Sequence, residues 1–232
     1  MKTVLITGAS RGIGLAIAQA LSAADSQFDN IVLVARDPGR LADARNDLMQ
    51  IAGNKGVHSI VCDLGHPGFH ISLFQEIDAL GLSLTTIVNN AGYTAPCEFN
   101  DITDEDLDRT LQVNVKAPIQ IVREARRRGH RLDHIINIAS TAGMNGRPHW
   151  AAYSASKAAL LAASESMMEE FRPEGTEVLR ISPGRCATDL RRTLAPDEDP
   201  ATIMQPVEVA SGLKFLISDQ GKALRHQNIV FR

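Results

Sequence analysis

The sequence predicts an α/β fold: a doubly wound, seven-stranded, mostly parallel sheet with helices on both faces, in a single domain. Three observations predict it. Short apolar runs alternate with segments of helical periodicity from one end of the chain to the other. Those runs are nearly all apolar, as strands covered on both faces require. The segments rich in glycine and polar side chains fall directly after the runs, where a doubly wound sheet opens its ligand crevice.

Taken in order, "TVLITG" is a strand feeding a glycine turn, and "GIGLAIAQALSAA" continues as a helix. "NIVLVAR" is the second strand, followed by the helical "GRLADARNDLMQIA". "GVHSIVCDL" and "FHISLFQEIDAL" repeat the unit, and "LTTIVNNAG" is the fourth strand. One long helix is expected over "ITDEDLDRTLQVNVKAPIQIVREARRR", with Thr103 and Asp106 as a capping pair at its head. "LDHIINIAS" is the fifth strand, and a helix carrying "YSASK" follows it. "TEVLRISPG" is the sixth strand, "PVEVASGLKFLIS" is helical, and "QNIVFR" completes the set. The expected organisation is one domain over residues 1–232, with a short substrate lid at about 189–205 marked by Pro196, Pro200 and several acids.

Composition narrows the class. At 44% hydrophobic and 22% charged residues, the 232-residue chain is ordinary globular material with enough apolar side chains for a large core. A formal charge of -3 gives no general attraction to nucleic acid or an anionic membrane. The basic stretch "REARRRGHR" (123–131) reads as cations at a helix C-terminus, without an aromatic platform for bases. Cys62, Cys97 and Cys186 are scattered and odd in number, which points to a reducing, cytoplasmic compartment and to neither a disulfide framework nor a metal site. No apolar run has the length of a signal or membrane segment.

"TGASRGIG" (7–14) lies between the first strand and the first helix. Gly8 supplies the sharp turn, Gly12 lets the backbone approach a pyrophosphate, and Gly14 packs the helix on the strand. With the helix N-terminus behind it, the turn suits a dinucleotide. The second strand ends in Ala35, where an acid would receive a ribose 2′-hydroxyl, and Arg36 follows. Arg11 adds a second cation, and two guanidinium groups suit a 2′-phosphate, so NADP(H) is preferred and NAD(H) is possible. The alternative is that both are solvated surface arginines.

Tyr153 and Lys157 stand four apart at the head of a helix and so share a face. A free phenol has a pKa of about 10 and is a sluggish base at neutral pH. An adjacent ammonium stabilises the phenolate and is expected to lower that value. Such a pair suits the proton transfer that carbonyl reduction requires, although an isolated Tyr and Lys at this spacing also describes an ordinary amphipathic surface.

The ordered set "TGASRGIG", "NNAG" (89–92), Asn114, Ser140 after the fifth strand, "YSASK" (153–157) and "PG" (183–184) resembles the short-chain dehydrogenase/reductase family over essentially the whole chain. Tyr153 follows Ser140 by thirteen residues, the spacing typical of that family. The resemblance implies a Rossmann fold and a carbonyl/alcohol oxidoreductase. Its catalytic set is Asn114, Ser140, Tyr153 and Lys157: Ser140 holds the substrate oxygen, Tyr153 exchanges the proton, Lys157 reaches the nicotinamide ribose, and Asn114 holds a water that links the lysine to solvent. The implied cofactor contacts are Gly8, Ser10, Arg11, Gly12, Ile13 and Gly14 in the glycine turn, with Arg36 after the second strand. Asp63 and Leu64 are implied at the adenine, and Asn90, Ala91 and Gly92 at the adenosine side. Tyr153, Lys157, Pro183, Gly184 and Thr188 are implied near the nicotinamide. Arg185 and Cys186 replace the small or aliphatic residues usual after that PG pair.

For the substrate, Met144, His149 and Trp150 are the expected pocket residues, and Arg147, Arg191 or Arg192 could meet an anionic group. The leading expectation is an NADPH-dependent reductase of a small-molecule ketone or aldehyde, or the reverse oxidation. A 3-oxoacyl-thioester reductase of fatty-acid type is the alternative, and a non-enzymatic NADP(H)-binding sensor or scaffold is an alternative of another class. The resemblance also implies a homo-oligomer, either a dimer through the helices holding Asn114 and Tyr153 or a homotetramer.

Overall fold

Short apolar strands without side-chain alternation can be satisfied only between two helical layers; seven strands lie side by side here in one sheet, the central five buried and the two edge strands partly exposed. The computed structural model describes residues 1–232. The strands are β1 (Thr3–Thr7), β2 (Asn30–Ala35), β3 (Gly56–Val61), β4 (Thr86–Asn89), β5 (His134–Ile138), β6 (Glu177–Pro183) and β7 (Asn228–Phe231). Their order is β3-β2-β1-β4-β5-β6-β7, and every neighbouring pair is parallel. Each coincides with an apolar run in the sequence. The chain winds outward in both directions from the β1–β4 pair, in which Leu5 sits opposite Ile87. That reversal opens a crevice at the strands' carboxyl ends.

The helices are α1 (Gly12–Ser22), α2 (Pro38–Ile51), α3 (Phe69–Ala79), α4 (Asp104–Leu111), α5 (Ala117–Arg127), α6 (Ala151–Phe171), α7 (Asp189–Leu194) and α8 (Pro206–Leu216). Strand side chains alternate between two apolar layers. Val4 and Ile6 join Ile17 and Leu21 of α1 and Leu213 of α8, while Leu5, Ile87 and Ile135 join Phe74 of α3, Ile121 of α5 and Met167 of α6. Each fully buried aliphatic side chain contributes about 1.5–3 kcal/mol, so the two layers clamp the sheet that carries the crevice.

Local chemistry fixes the helix starts. The Asp37 carboxylate accepts from Arg40 N at 3.0 Å ahead of Pro38, and Thr103 Oγ1 accepts from Asp106 N at 3.1 Å. Gln205 N donates to Glu208 Oε2 at 2.7 Å at the head of α8. The long helix expected after Thr103 is interrupted: residues Gln112–Lys116 form a π turn between α4 and α5. The cause is Asn114, whose side chain is drawn to the main chain of Tyr93. The segment expected to form the lid opens with α7 and holds a 3-10 turn at Pro200–Thr202. The basic stretch is used internally. Arg126 forms a double hydrogen bond with Glu174 and lies 4.0 Å from the Phe171 ring centroid, while Arg128 pairs with Glu124 and Asp78. No helix is long and apolar enough to cross a membrane.

Candidate active site

The crevice is built first from backbone. Gly8 and Gly12 have φ of 65° and 56°, a region that side chains rarely adopt. A Cβ on Gly8 would stand 2.9 Å from Ala91 Cα, so the glycine turn and the "NNAG" segment press directly together. Asn90 locks them: its Nδ2 donates to Thr7 O at 2.9 Å, and Thr7 Oγ1 accepts from the amides of Asn90 and Ala91. Gly14 lies behind this turn, and a Cβ there would meet Gly8 O at 2.3 Å, which matches its expected role in helix–strand packing. Arg11 precedes α1 without a side-chain cap, leaving the first amides of that helix facing the crevice.

The opposite wall comes from β5 and α6. A buried polar ladder runs from Asn89 Nδ2 to Asn137 Oδ1 at 2.8 Å, and from Asn137 Nδ2 to Ser164 Oγ at 2.8 Å, tying β4 and β5 to α6. α6 therefore starts in a fixed place, with Tyr153 and Lys157 on its crevice face, both buried. The Lys157 ammonium lies 5.8 Å from the Tyr153 ring centroid and donates to Ile138 O at 2.8 Å. The Ser140 hydroxyl, just past the end of β5, accepts from Ala142 N at 3.1 Å and lines the same wall as the phenol. Trp150 packs edge-on against Tyr153, with ring centroids 6.3 Å apart.

The electrostatics correct one expectation. The spacing of Tyr153 and Lys157 predicts a lowered phenol, but burial pushes Tyr153 up to about 12, only partly offset by the Ser140 hydroxyl and the field of Arg191. Burial likewise brings Lys157 down to about 8. The ammonium is directed to a backbone carbonyl, so the phenol gains little from it in this geometry.

Asn114 sits behind this wall, fully buried in the π turn. Its Oδ1 accepts from Tyr93 N at 2.8 Å, and its Nδ2 donates to Tyr93 O at 2.9 Å and to Ser156 Oγ at 2.9 Å. A Cβ on Gly92 would lie 3.7 Å from Asn114 Oδ1 and 4.0 Å from Lys157 Nζ, so only a glycine's width separates the two side chains.

Between the walls stands the segment expected to form the lid. Thr188 caps α7 by accepting from Arg191 N at 3.1 Å, and its Cγ2 would be 3.2 Å from a Cβ on Gly12. Asp189 pairs with Arg11, and Arg40 reaches the same carboxylate oxygen at 3.4 Å. Arg191 is held by Glu198 through Nε at 2.6 Å and Nη2 at 2.8 Å. The two unusual residues of the PG turn are also accounted for. Cys186 is buried in the core, where desolvation raises its thiol to about 11, and Arg185 is an outer partner of Glu198 at 3.3 Å.

The crevice brings together Gly8, Ser10, Arg11, Gly12, Ile13, Arg36, Asp63, Leu64, Asn90, Ala91, Gly92, Ser140, Tyr153, Lys157, Pro183, Gly184 and Thr188 from the sequence reading. Gly14 and Asn114 support it from behind. Of the three expected substrate residues only Trp150 lines it. His149 adopts φ 65° and points to Glu98, its Nδ1 3.4 Å from that carboxylate, while Met144 turns its sulfur to Asn228 Nδ2 at 3.4 Å. Tyr93, Thr141, Leu190 and Leu194 line the crevice without having been singled out, because nothing in their local pattern separates them from core or loop residues. Arg40 was missed as well: it sits a full helical turn beyond Arg36, and only the close approach of α7 brings it to Asp189.

Comparison with known proteins agrees with this architecture. A 3-oxoacyl-[acyl-carrier-protein] reductase FabG of Rickettsia felis is 31% identical over 98% of this chain and 94% of its own. The protein of the same name from Escherichia coli is 31% identical over 94% of this chain and 91% of its own. Among solved structures, a 4-hydroxyisoleucine dehydrogenase complexed with NADH superposes with a TM-score of 0.86 at 26% identity, covering 100% of this chain and 97% of that one. A short chain dehydrogenase from Burkholderia cenocepacia in complex with NADP gives 0.85 at 26% identity, covering 99% and 96%. The sequence pattern of the short chain dehydrogenases matches residues 2–199, a span that holds both walls of the crevice, and on that ground the chain belongs to the short-chain dehydrogenase family.

Proposed function

We propose that the protein is an NADP(H)-dependent oxidoreductase that interconverts a carbonyl and an alcohol. The observation that carries this reading is the convergence of Ser140, Tyr153 and Lys157 on the wall facing the glycine turn. The crevice fits a dinucleotide: Gly8 and Gly12 leave a side-chain-free cradle, Arg11 and Arg36 line it, and Arg40 meets Arg11 at the Asp189 carboxylate, cations that suit a 2′-phosphate. Similar proteins are described with NADP and with NADH, which supports NADP(H) as preferred and NAD(H) as possible.

When bound, the nicotinamide supplies or accepts the hydride at the substrate carbon. The Ser140 hydroxyl donates a hydrogen bond to the carbonyl oxygen, and Tyr153 gives that oxygen its proton, or takes one from the alcohol in reverse. A phenol held near 12 is fully protonated at neutral pH, the form needed for reduction. Lys157 would hold the ribose hydroxyls of the bound cofactor, while Asn114 holds the Tyr93–Gly92 backbone beside it.

A second reading, reduction of a 3-oxoacyl thioester, is favoured by the names of the similar reductases. A reducing cytoplasmic setting suits the three free cysteines, and a homodimer or homotetramer is the expected assembly. The test is NADPH oxidation at 340 nm across ketones, aldehydes and 3-oxoacyl thioesters. Turnover that Tyr153→Phe removes, with NADPH binding retained, supports the reading. Turnover that survives the substitution would show that another residue delivers the proton, whereas NADPH binding with no substrate turned over counts against the reading and favours a sensor.

A further inference from the structure

The substrate end of the crevice carries more positive charge than its own acids neutralise. Two acids line the crevice, and both are engaged: Asp63 faces Arg109 at 3.7 Å, and Asp189 faces Arg11 and Arg40. Near the phenol stand Arg147 and Arg191, both approaching one indole. Arg147 Cζ is 5.7 Å from the Trp150 ring centroid and Arg191 Cζ is 5.5 Å from it, while the indole itself packs edge-on against Tyr153. Arg191 is braced by Glu198 through both its Nε and Nη2 and is mostly buried, so its orientation is set. Arg147 lies in the same lining, and no carboxylate pairs with it.

An aromatic ring approached by two guanidinium groups holds both cations near it. It leaves Arg147 with all five donors free for a planar, bidentate acceptor beside the proton-transfer group. Arg147 is exposed at the rim of that lining, and a neutral ketone would give its guanidinium no charged partner there. A carboxylate would meet both the charge and the fork.

We infer that the substrate is an oxo acid, or the hydroxy acid formed from it, whose free carboxylate is bound by Arg147 with support from Arg191 while its carbonyl oxygen meets Tyr153 and Ser140. Trp150 sets the distance between the two ends. This rests on the proposed oxidoreductase reading, and it separates that reading's possible substrates by charge: free acids are preferred over neutral esters and thioesters.

The test has two independent readouts. The first is NADPH oxidation with 2-oxobutanoate and acetoacetate, each against its methyl ester, and with the neutral N-acetylcysteamine thioester of acetoacetate. The acid is expected to exceed its ester in kcat/KM by about ten- to a hundredfold, the scale of a hydrogen bond to a charged group. Arg147→Met brings that ratio close to one, and Arg147→Lys restores part of it because it keeps the charge and loses the fork. The second readout needs no turnover. Trp150 is the chain's one tryptophan, so its fluorescence reports directly on this site. Protein loaded with NADP+ is titrated with 3-hydroxybutyrate and with its methyl ester, for the native chain and for Arg147→Met. Saturable quenching by the acid alone, weakened tenfold or more by the substitution, supports the inference even if no tested carbonyl is reduced, an outcome that would count against the oxidoreductase reading separately. Esters or the thioester reduced as well as the acids, or equal quenching by acid and ester, overturns it and leaves the oxidoreductase reading untouched.

Discussion

The Asp189 carboxylate, at the start of α7, pairs with the Arg11 guanidinium from the glycine turn and so joins that helix to the loop expected to cradle phosphate. Arg40 reaches the same oxygen at 3.4 Å. A 2′-phosphate entering this cluster would compete with a carboxylate already there. Both partners are near half exposed, so the pair contributes about 0.2–1 kcal/mol. Asp189→Asn is therefore expected to tighten NADPH by about two- to fivefold at low salt, with a smaller gain at high salt as screening takes over. NADH lacks the phosphate and should change less. Dissociation constants for both nucleotides at two salt concentrations check this; an equal change for both would show that Asp189 acts on the loop's shape and not on the phosphate.

The phenol's position on the pH scale gives the second prediction. With Tyr153 raised to about 12, the group is protonated throughout the neutral range, so the form that donates a proton is the populated one. Reduction should keep a flat kcat/KM from about pH 6 until Lys157 loses its proton at about 8, whereas alcohol oxidation, which needs the phenolate, should climb with pH. Profiles in both directions on the same protein test it. A reductive rate that falls with a midpoint close to neutrality would mean that Lys157 leaves the Ile138 carbonyl and activates the phenol once the site is loaded.

Gly143 holds the turn after Ser140 against α6. A Cβ there would lie 2.6 Å from Lys157 C and 2.8 Å from Ala158 N, both backbone atoms that have no freedom to move aside. Gly143→Ala should cost about 1–3 kcal/mol of stability through overpacking and should also lower kcat, because relief of the clash shifts Ser140 away from Tyr153. Gly146→Ala meets nothing within 4 Å and serves as the control. Urea denaturation and steady-state kinetics on both variants decide the point; a Gly143→Ala protein with native kcat would dissociate that turn from Ser140 placement.

The parts of this site that could be read from the sequence are those fixed by short-range rules. The glycine turn, the seven apolar runs and the spacing of Tyr153 and Lys157 each express a local requirement of turn, strand or helix. What the sequence hid depends on long-range approach. Arg40 and Asp189 are 149 positions apart, and nothing near either predicts their meeting. The π turn at Asn114 likewise follows from a clasp on Tyr93, 21 positions away. His149 looked like a pocket residue because it neighbours Trp150, but its left-handed backbone sends the imidazole to Glu98 instead. The phenol's raised pKa was hidden for the same reason: sequence spacing reports that an ammonium is near, while burial and the Ile138 carbonyl determine what that ammonium does.

Lys157 supplies the last prediction, through stability. It is 3% exposed, and burial brings its pKa from 10.5 to about 8. The unfolded chain therefore holds this proton more tightly than the folded one, so native stability increases as pH rises between about 8 and 10.5 and carries the full charge-burial penalty below that window. A difference of between two and three pKa units corresponds to about 3 kcal/mol at neutral pH. Lys157→Met removes the penalty and keeps the volume of the aliphatic stem, while it forfeits the hydrogen bond to Ile138 O, a loss of about 1 kcal/mol. The variant should thus be more stable than the native protein at pH 7, by about 1–3 kcal/mol, with the gap closing toward pH 10 as the native lysine becomes neutral. Its turnover should fall steeply at both pH values. Denaturant unfolding of the two proteins at pH 7 and near pH 10 measures the gap. A Lys157→Met protein that is less stable at pH 7, by an amount that does not vary with pH, would show that the buried ammonium is fully compensated by its surroundings and that its retention carries no stability penalty.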